Sequence, residues 1–250
     1  MRQEDWVIET GDGHKIYGIT DFADDSKKSE KCLCLVHGLT GGADEYILKT
    51  AANFFRDRGY DVIRFNLYYW EKSARRLSEC TLQTHAADLN RVLEAKAAGY
   101  QKIFLSGHSY GGPTIMIAQP KQVTALSLWD PTFDFPRLFN DGDFFKEMNG
   151  LKLLNGGCET LVNDAFIEEA TTRYGIEESL ALSEALSAVP IQVIAAAGRD
   201  AIFAKDQYSW HSKGHPLNER QFVEGADHCF HRGNSLDELL GLAYHWFERS

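Results

Sequence analysis

Ser109 stands in Gly107-His108-Ser109-Tyr110-Gly111, directly after the apolar run Ile103-Phe104-Leu105, with glycine at both i−2 and i+2. A strand that turns abruptly into a helix projects one side chain into a cleft, and glycines are needed where any side chain would strike neighbouring backbone. A serine hydroxyl is a poor nucleophile at neutral pH. It needs an adjacent base, and the imidazolium formed on attack needs a carboxylate partner. Gly225-Ala226-Asp227-His228 offers His228 as the base, and Ala197-Gly198-Arg199-Asp200 ends a strand with Asp200 as the carboxylate. Asp130 also ends an apolar run and is the alternative acid. Asp227 adjoins His228, and immediate neighbours rarely point at each other, so it reads as solvated. The loop His37-Gly38-Leu39-Thr40-Gly41-Gly42 leaves an apolar run with backbone N–H groups free to face a ligand. The N–H groups of Leu39 and Tyr110 are the expected oxyanion donors, each worth about 2.7–4 kcal/mol of transition-state stabilisation.

Other residues near these motifs carry weaker signals. His37, Gly38 and His108 flank them and are candidate substrate contacts, as are the aromatic residues Phe133, Phe144 and Phe145. His211 and His215 have i, i+4 spacing, but Gly214 and Pro216 weaken any helix that would aim both at a metal. The chemistry described needs neither a metal nor an organic cofactor. The five cysteines are scattered, without the spacing of a disulfide framework or paired zinc knuckles, and read as reduced thiols. Cys229, beside His228, reads as a buried inert thiol.

The elements that must position these groups alternate in type. Residues 6–10 and 15–19 flank Gly11-Asp12-Gly13 and predict a hairpin. Apolar runs at 32–36, 61–65, 101–106, 123–129, 190–196 and 220–223 predict strands. Helical spacing over 44–58, 81–98, the stretch after Gly112, and 236–247 predicts helices between or after them. Such alternation implies a mostly parallel sheet covered by helices on both faces, with the site at the strands' carboxyl ends. Residues 131–188 form a long connection of different character, Phe-rich at first and then helical over 163–174 and 177–188. With 250 residues and 44% hydrophobic content, one domain over 1–250 is expected, with 131–188 as an insertion. A net charge of −10 disfavours nucleic acid and anionic membranes as partners. No apolar stretch is long enough to span a bilayer, and Met1-Arg2-Gln3-Glu4-Asp5 does not open a secretory signal, so a cytoplasmic location is expected.

In its elbow, its oxyanion loop and its order Ser, Asp, His, the chain resembles the α/β-hydrolase superfamily over nearly its whole length. The resemblance implies an α/β-hydrolase fold, with the insertion as a small helical cap after the sixth strand. It also favours Asp200 over Asp130, because a Gly-x-Asp setting after the penultimate strand is the commoner family pattern. It implies a serine hydrolase acting through an acyl-enzyme on a small-molecule substrate, with an ester bearing an apolar acyl or aryl group as the first choice. Thioester cleavage or acyl transfer is the alternative. An aminopeptidase using Glu168, Glu169, Glu177 or Glu178, or a non-catalytic ligand-binding protein, stands further off.

Overall fold

The computed structural model describes residues 2–141, 144–155, 159–198 and 214–250. The chain opens with the antiparallel hairpin β1 (Gln3–Glu9) and β2 (Lys15–Asp21), then β3 (Lys31–Val36), α1 (Tyr46–Arg56) and β4 (Tyr60–Phe65). Next come α2 (Leu82–Val92), which runs into a π turn at Leu93–Ala97, then β5 (Lys102–His108), α3 (Gly111–Ala118) and β6 (Ala125–Trp129). The insertion holds α4 (Phe135–Asp141), β7 (Phe145–Met148), β8 (Leu151–Asn155), β9 (Glu159–Leu161), α5 (Asp164–Thr172) and α6 (Ile176–Ala185). The main unit resumes with β10 (Ile191–Ala197), β11 (Glu219–Glu224) and α7 (Ser235–Arg249).

Eight strands form one sheet in the order β1-β2-β4-β3-β5-β6-β10-β11, parallel from β4 to β11, with the hairpin antiparallel at one edge. Because successive strand side chains face opposite ways, a strand covered on both sides must be apolar throughout. In β3, Cys32, Cys34 and Val36 enter one core and Leu33 and Leu35 the other. β10 divides likewise, with Ile191, Val193 and Ala195 on the first side and Ile194 and Ala196 on the second. Leu82, Ala86 and Leu89 of α2 and Ile115 and Met116 of α3 cover the first face; Ile47, Leu48, Ala51 and Phe55 of α1 and Leu239, Trp246 and Phe247 of α7 cover the second. The mostly parallel sheet with helices on both faces is the architecture the alternation implied. Within the insertion, β7, β8 and β9 form an antiparallel sheet of their own. A small helical cap was expected, and this small sheet was not: its strands are short and half exposed, so neither period is evident over four or five residues.

No helix among the described residues is long and apolar enough to cross a membrane.

Candidate active site

The carboxyl ends of β3, β5, β6 and β11 lead into the motif loops. At the end of β5 the chain turns so sharply that Ser109 takes φ +52°. Adding a β-carbon at Gly107 would bring it 2.5 Å from the Gly111 backbone, and one at Gly111 would stand 2.3 Å from Val36 O. Both glycines are therefore fixed by close backbone approach, the reason the elbow pattern requires them. Ser109 N–H donates to Trp129 O at 2.9 Å and Ser109 O accepts from Thr132 N–H at 3.0 Å, which ties the elbow to the end of β6.

Ser109 Oγ lies 2.8 Å from His228 Nε2, and His228 Nδ1 lies 2.5 Å from Asp130 Oδ2. With the serine O–H donating to Nε2, Nδ1–H donates to the carboxylate. The acid against His228 is thus Asp130; Asp200, the expected one, lies outside the described residues. Asp130 follows directly on β6, the sheet neighbour of β5, and so lies beside the elbow. Asp130 is locked there: its N–H donates to Ile194 O at 2.7 Å, and its Oδ1 accepts from Ala196 N–H at 3.0 Å. It is fully buried and held at φ +39°, a conformation that Asp tolerates better than most residues. The Thr132 hydroxyl, 3.0 Å from Ser109 Oγ, donates to it once the serine proton points at His228.

These groups open on a cavity of about 420 Å³. Gly38, Leu39 and Tyr110 line it beside Ser109 and His228, and Phe135, Leu138, Phe139, Phe144 and Leu154 from the insertion form its apolar wall. Among the described residues the N–H groups of Leu39 and Tyr110 have no protein acceptor. Of the expected substrate contacts, Gly38, His108 and Phe144 line the cavity; His37, Phe133 and Phe145 do not. His37 is fully buried, donating from Nδ1 to Gly38 O at 2.7 Å and accepting at Nε2 from Leu67 N–H at 3.0 Å. Burial pushes its pKa down to about 4, so it is a neutral brace for the loop. Phe133 is core, and Phe145 stacks behind Phe139 with ring centroids 5.4 Å apart. Phe135 and Phe139, one helical turn apart on α4, belong to the same Phe-rich start of the insertion and do line the cavity. A hollow of about 510 Å³ around Asn90, Glu94 and Gln119 lies away from the motif loops and gathers none of their residues.

His211 lies outside the described residues, and His215 Nδ1 accepts from Leu217 N–H at 3.1 Å. Cys32, Cys34, Cys80 and Cys229 are free thiols, while Cys158 is outside the described residues. Burial raises the pKa of Cys229, which lowers its thiolate fraction.

Glu45 was not among the expected site residues. It sits just before α1, lines the cavity, and its Oε1 is 4.0 Å from His108 Nδ1, with neither atom otherwise bonded. His108 Nε2–H donates to His228 O at 2.8 Å, so Nδ1 is an acceptor facing the carboxyl. Burial pushes Glu45 up to about 7, against the opposing pull of the Gly38 and Gly42 N–H groups. Burial, and next the neighbouring His228, push His108 down to about 4. A buried acid with a raised pKa keeps its proton in the folded state between about 4.5 and 7 while the unfolded chain loses it, so its contribution to stability declines as pH rises through that window. The buried neutral His108 acts in the opposite sense between about 4 and 6.5. Glu45→Gln removes only the first effect. Its stability relative to wild type should climb by the order of 2–3 kcal/mol between pH 4.5 and 7, read from urea midpoints at several pH values. A constant difference would show that Glu45 is ionised in the folded protein across that range.

A family model described as alpha/beta hydrolase fold matches residues 31–126, from β3 through the elbow to β6. No curated protein sequence matches the chain significantly. Among solved structures, it is similar to Est1E from Butyrivibrio proteoclasticus with ferulic acid bound, at 18% identity over 98% of each chain with a TM-score of 0.79. It is similar to the alpha/beta hydrolase GrgF from Penicillium sp. sh18, at 15% identity over 100% of this chain and 99% of that one, with a TM-score of 0.78. It is also similar to the esterase domain of a Rhodothermus marinus protein, at 16% identity over 100% and 99%, with a TM-score of 0.75. The motif spacing, the sheet order and these likenesses agree: the chain has the alpha/beta hydrolase fold of the superfamily its motifs resemble.

Proposed function

We propose that the chain is a serine hydrolase that cleaves a small carboxylic ester with an apolar acyl or aryl group. The observation that carries this reading is the unbroken line of hydrogen bonds from Ser109 Oγ through His228 to Asp130 at the mouth of an apolar cavity. In this mechanism Ser109 attacks the carbonyl while His228 takes its proton, and Asp130 holds the imidazole with Nε2 free to accept it. The Leu39 and Tyr110 N–H groups receive the oxyanion. His228 then protonates the leaving alcohol, and a water activated by His228 releases the acid.

The acyl preference rests on the wall formed by Phe135, Leu138, Phe139, Phe144 and Leu154. Burying a group of phenylalanine size there yields about 1.5–3 kcal/mol. The ferulic acid bound to Est1E is an aryl acid of a size such a cavity accepts. The glutamates that would hold an aminopeptidase substrate lie elsewhere. Glu169 accepts from Leu82 N–H at 2.7 Å, Glu178 accepts from Tyr174 N–H, and Glu168 and Glu177 are exposed. A cytoplasmic setting belongs to the same reading and rests on the scattered cysteines.

The test is hydrolysis of matched oxygen and sulfur esters of acetate, hexanoate and 3-phenylpropanoate. Turnover of the oxygen esters is expected, with kcat/KM for the phenylpropanoate exceeding that for the acetate by at least tenfold. A strong preference for the sulfur esters would replace the ester reading with a thioesterase. Binding without turnover would point to a ligand-binding protein.

A further inference from the structure

A second cavity, of about 620 Å³, adjoins the same glycine-rich loop at Gly41 and Gly42. Gly41 lines both cavities. Thr40, on the catalytic side, donates its N–H at 2.6 Å to the hydroxyl oxygen of Tyr68, which lines the second. The two spaces therefore meet along a single loop.

The floor of the second cavity carries an indole with little packing role. Trp70 is 68% exposed, with its ring centroid 5.3 Å from that of Tyr69 and the planes tilted by 48°. Hydrogen-bonding groups surround it. Asn66 commits Oδ1 to Ala43 N–H at 2.8 Å, and among the described residues its Nδ2 has no protein partner. Arg76 uses Nη1 on Tyr69 O at 2.7 Å and keeps the rest of its guanidinium at an exposed position, and Ser78 lies beside it on the wall.

An aromatic face ringed by hydrogen-bonding groups, of which Arg76 alone is charged, matches a polyhydroxylated ring. The weakly positive C–H groups of a sugar face lie against the negative face of the indole, and its hydroxyls bond to the rim. A plain alkyl alcohol would leave those donors unused. A polyphosphate leaving group would need several cations, whereas Arg76 is the only lysine or arginine among the described lining residues and the chain carries −10. We propose that this cavity is a leaving-group subsite for a carbohydrate, so that the ester cleaved joins an apolar or aryl acid to a sugar hydroxyl. The proposal rests on the serine-hydrolase reading for its place in the reaction, but not for its ability to bind sugar.

The experiment uses one acid, 3-phenylpropanoate, as its methyl ester and as its ester with the primary hydroxyl of a methyl glycoside. Wild type should cleave the sugar ester at least tenfold more efficiently than the methyl ester in kcat/KM. Trp70→Ala should erase that advantage and leave the methyl ester unchanged. In parallel, binding of the sugar ester to Ser109→Ala should be saturable by calorimetry and weaken at least fivefold when Trp70→Ala is added. Equal efficiency on both esters, or an equal loss on both in Trp70→Ala, overturns the subsite while leaving the serine hydrolase standing. Trp70-dependent binding without turnover in wild type supports the subsite and overturns the hydrolase reading. Neither turnover nor binding overturns both.

Discussion

Ser109→Ala is expected to remain folded and to lose ester turnover by about 10⁶-fold, the scale on which removal of an activated serine nucleophile acts in such triads. The fold should survive because little rests on the hydroxyl. Its contacts are His228 Nε2 and the Thr132 hydroxyl, beside an open cavity where water can replace it. The backbone bonds that tie the elbow to β6, from Ser109 N–H to Trp129 O and from Thr132 N–H to Ser109 O, do not involve the side chain. Alanine must adopt the same φ of +52°, at a cost similar to that already borne by serine. The check pairs steady-state hydrolysis with labelling by a fluorophosphonate. Wild type should be labelled on the peptide containing Ser109 and the variant should not. Turnover of the purified variant at more than about a hundredth of the wild-type rate would remove Ser109 from the chemistry.

Legibility differed sharply between parts of this molecule. The central strands of the parallel sheet were evident because they are buried on both faces and so read as apolar runs; Cys32–Val36 is unbroken, and Ile191–Ala197 is interrupted by Gln192 alone. Ser109 was legible because glycine spacing records close backbone approach, and at Gly107 and Gly111 that approach leaves no room for a β-carbon; His228 was picked from its place after the last strand, and its Nε2 lies 2.8 Å from Ser109 Oγ. The acid was left between two residues: Asp130 and Asp200 both follow apolar runs in the sequence, and the carboxylate found against His228 is that of Asp130, while Asp200 lies outside the described residues. Glu45 escaped notice. A charged residue just before a helix ordinarily reads as solvated surface, and only the loop folding back over it buries its carboxyl against His108. The insertion was harder still, because the side chains of β7 are half-buried or exposed and carry little pattern.

The choice of acid has a measurable consequence. Asp130→Asn is expected to lower kcat by about 10⁴-fold, as loss of the buried carboxylate does in other serine triads. The hydrogen bonds around residue 130 dictate the direction. Oδ1 accepts from Ala196 N–H at 3.0 Å, and that bond is kept only if the asparagine oxygen stays there. The amide NH₂ must then face His228 Nδ1, in the place of the oxygen now 2.5 Å away. Because an NH₂ group donates, Nδ1 becomes the acceptor and the ring proton moves to Nε2, the atom that has to take the serine proton. The ring would be held in place with its proton on the wrong nitrogen. Much of the loss should therefore appear in kcat, with KM little changed, since Asp130 is fully buried and does not line the cavity. Asp200→Asn, made in parallel, should stay within a few-fold of wild type. The reverse result, a large loss at Asp200 and a small one at Asp130, would return the acid to the end of β10 and make the 2.5 Å contact of Asp130 with His228 incidental to the chemistry.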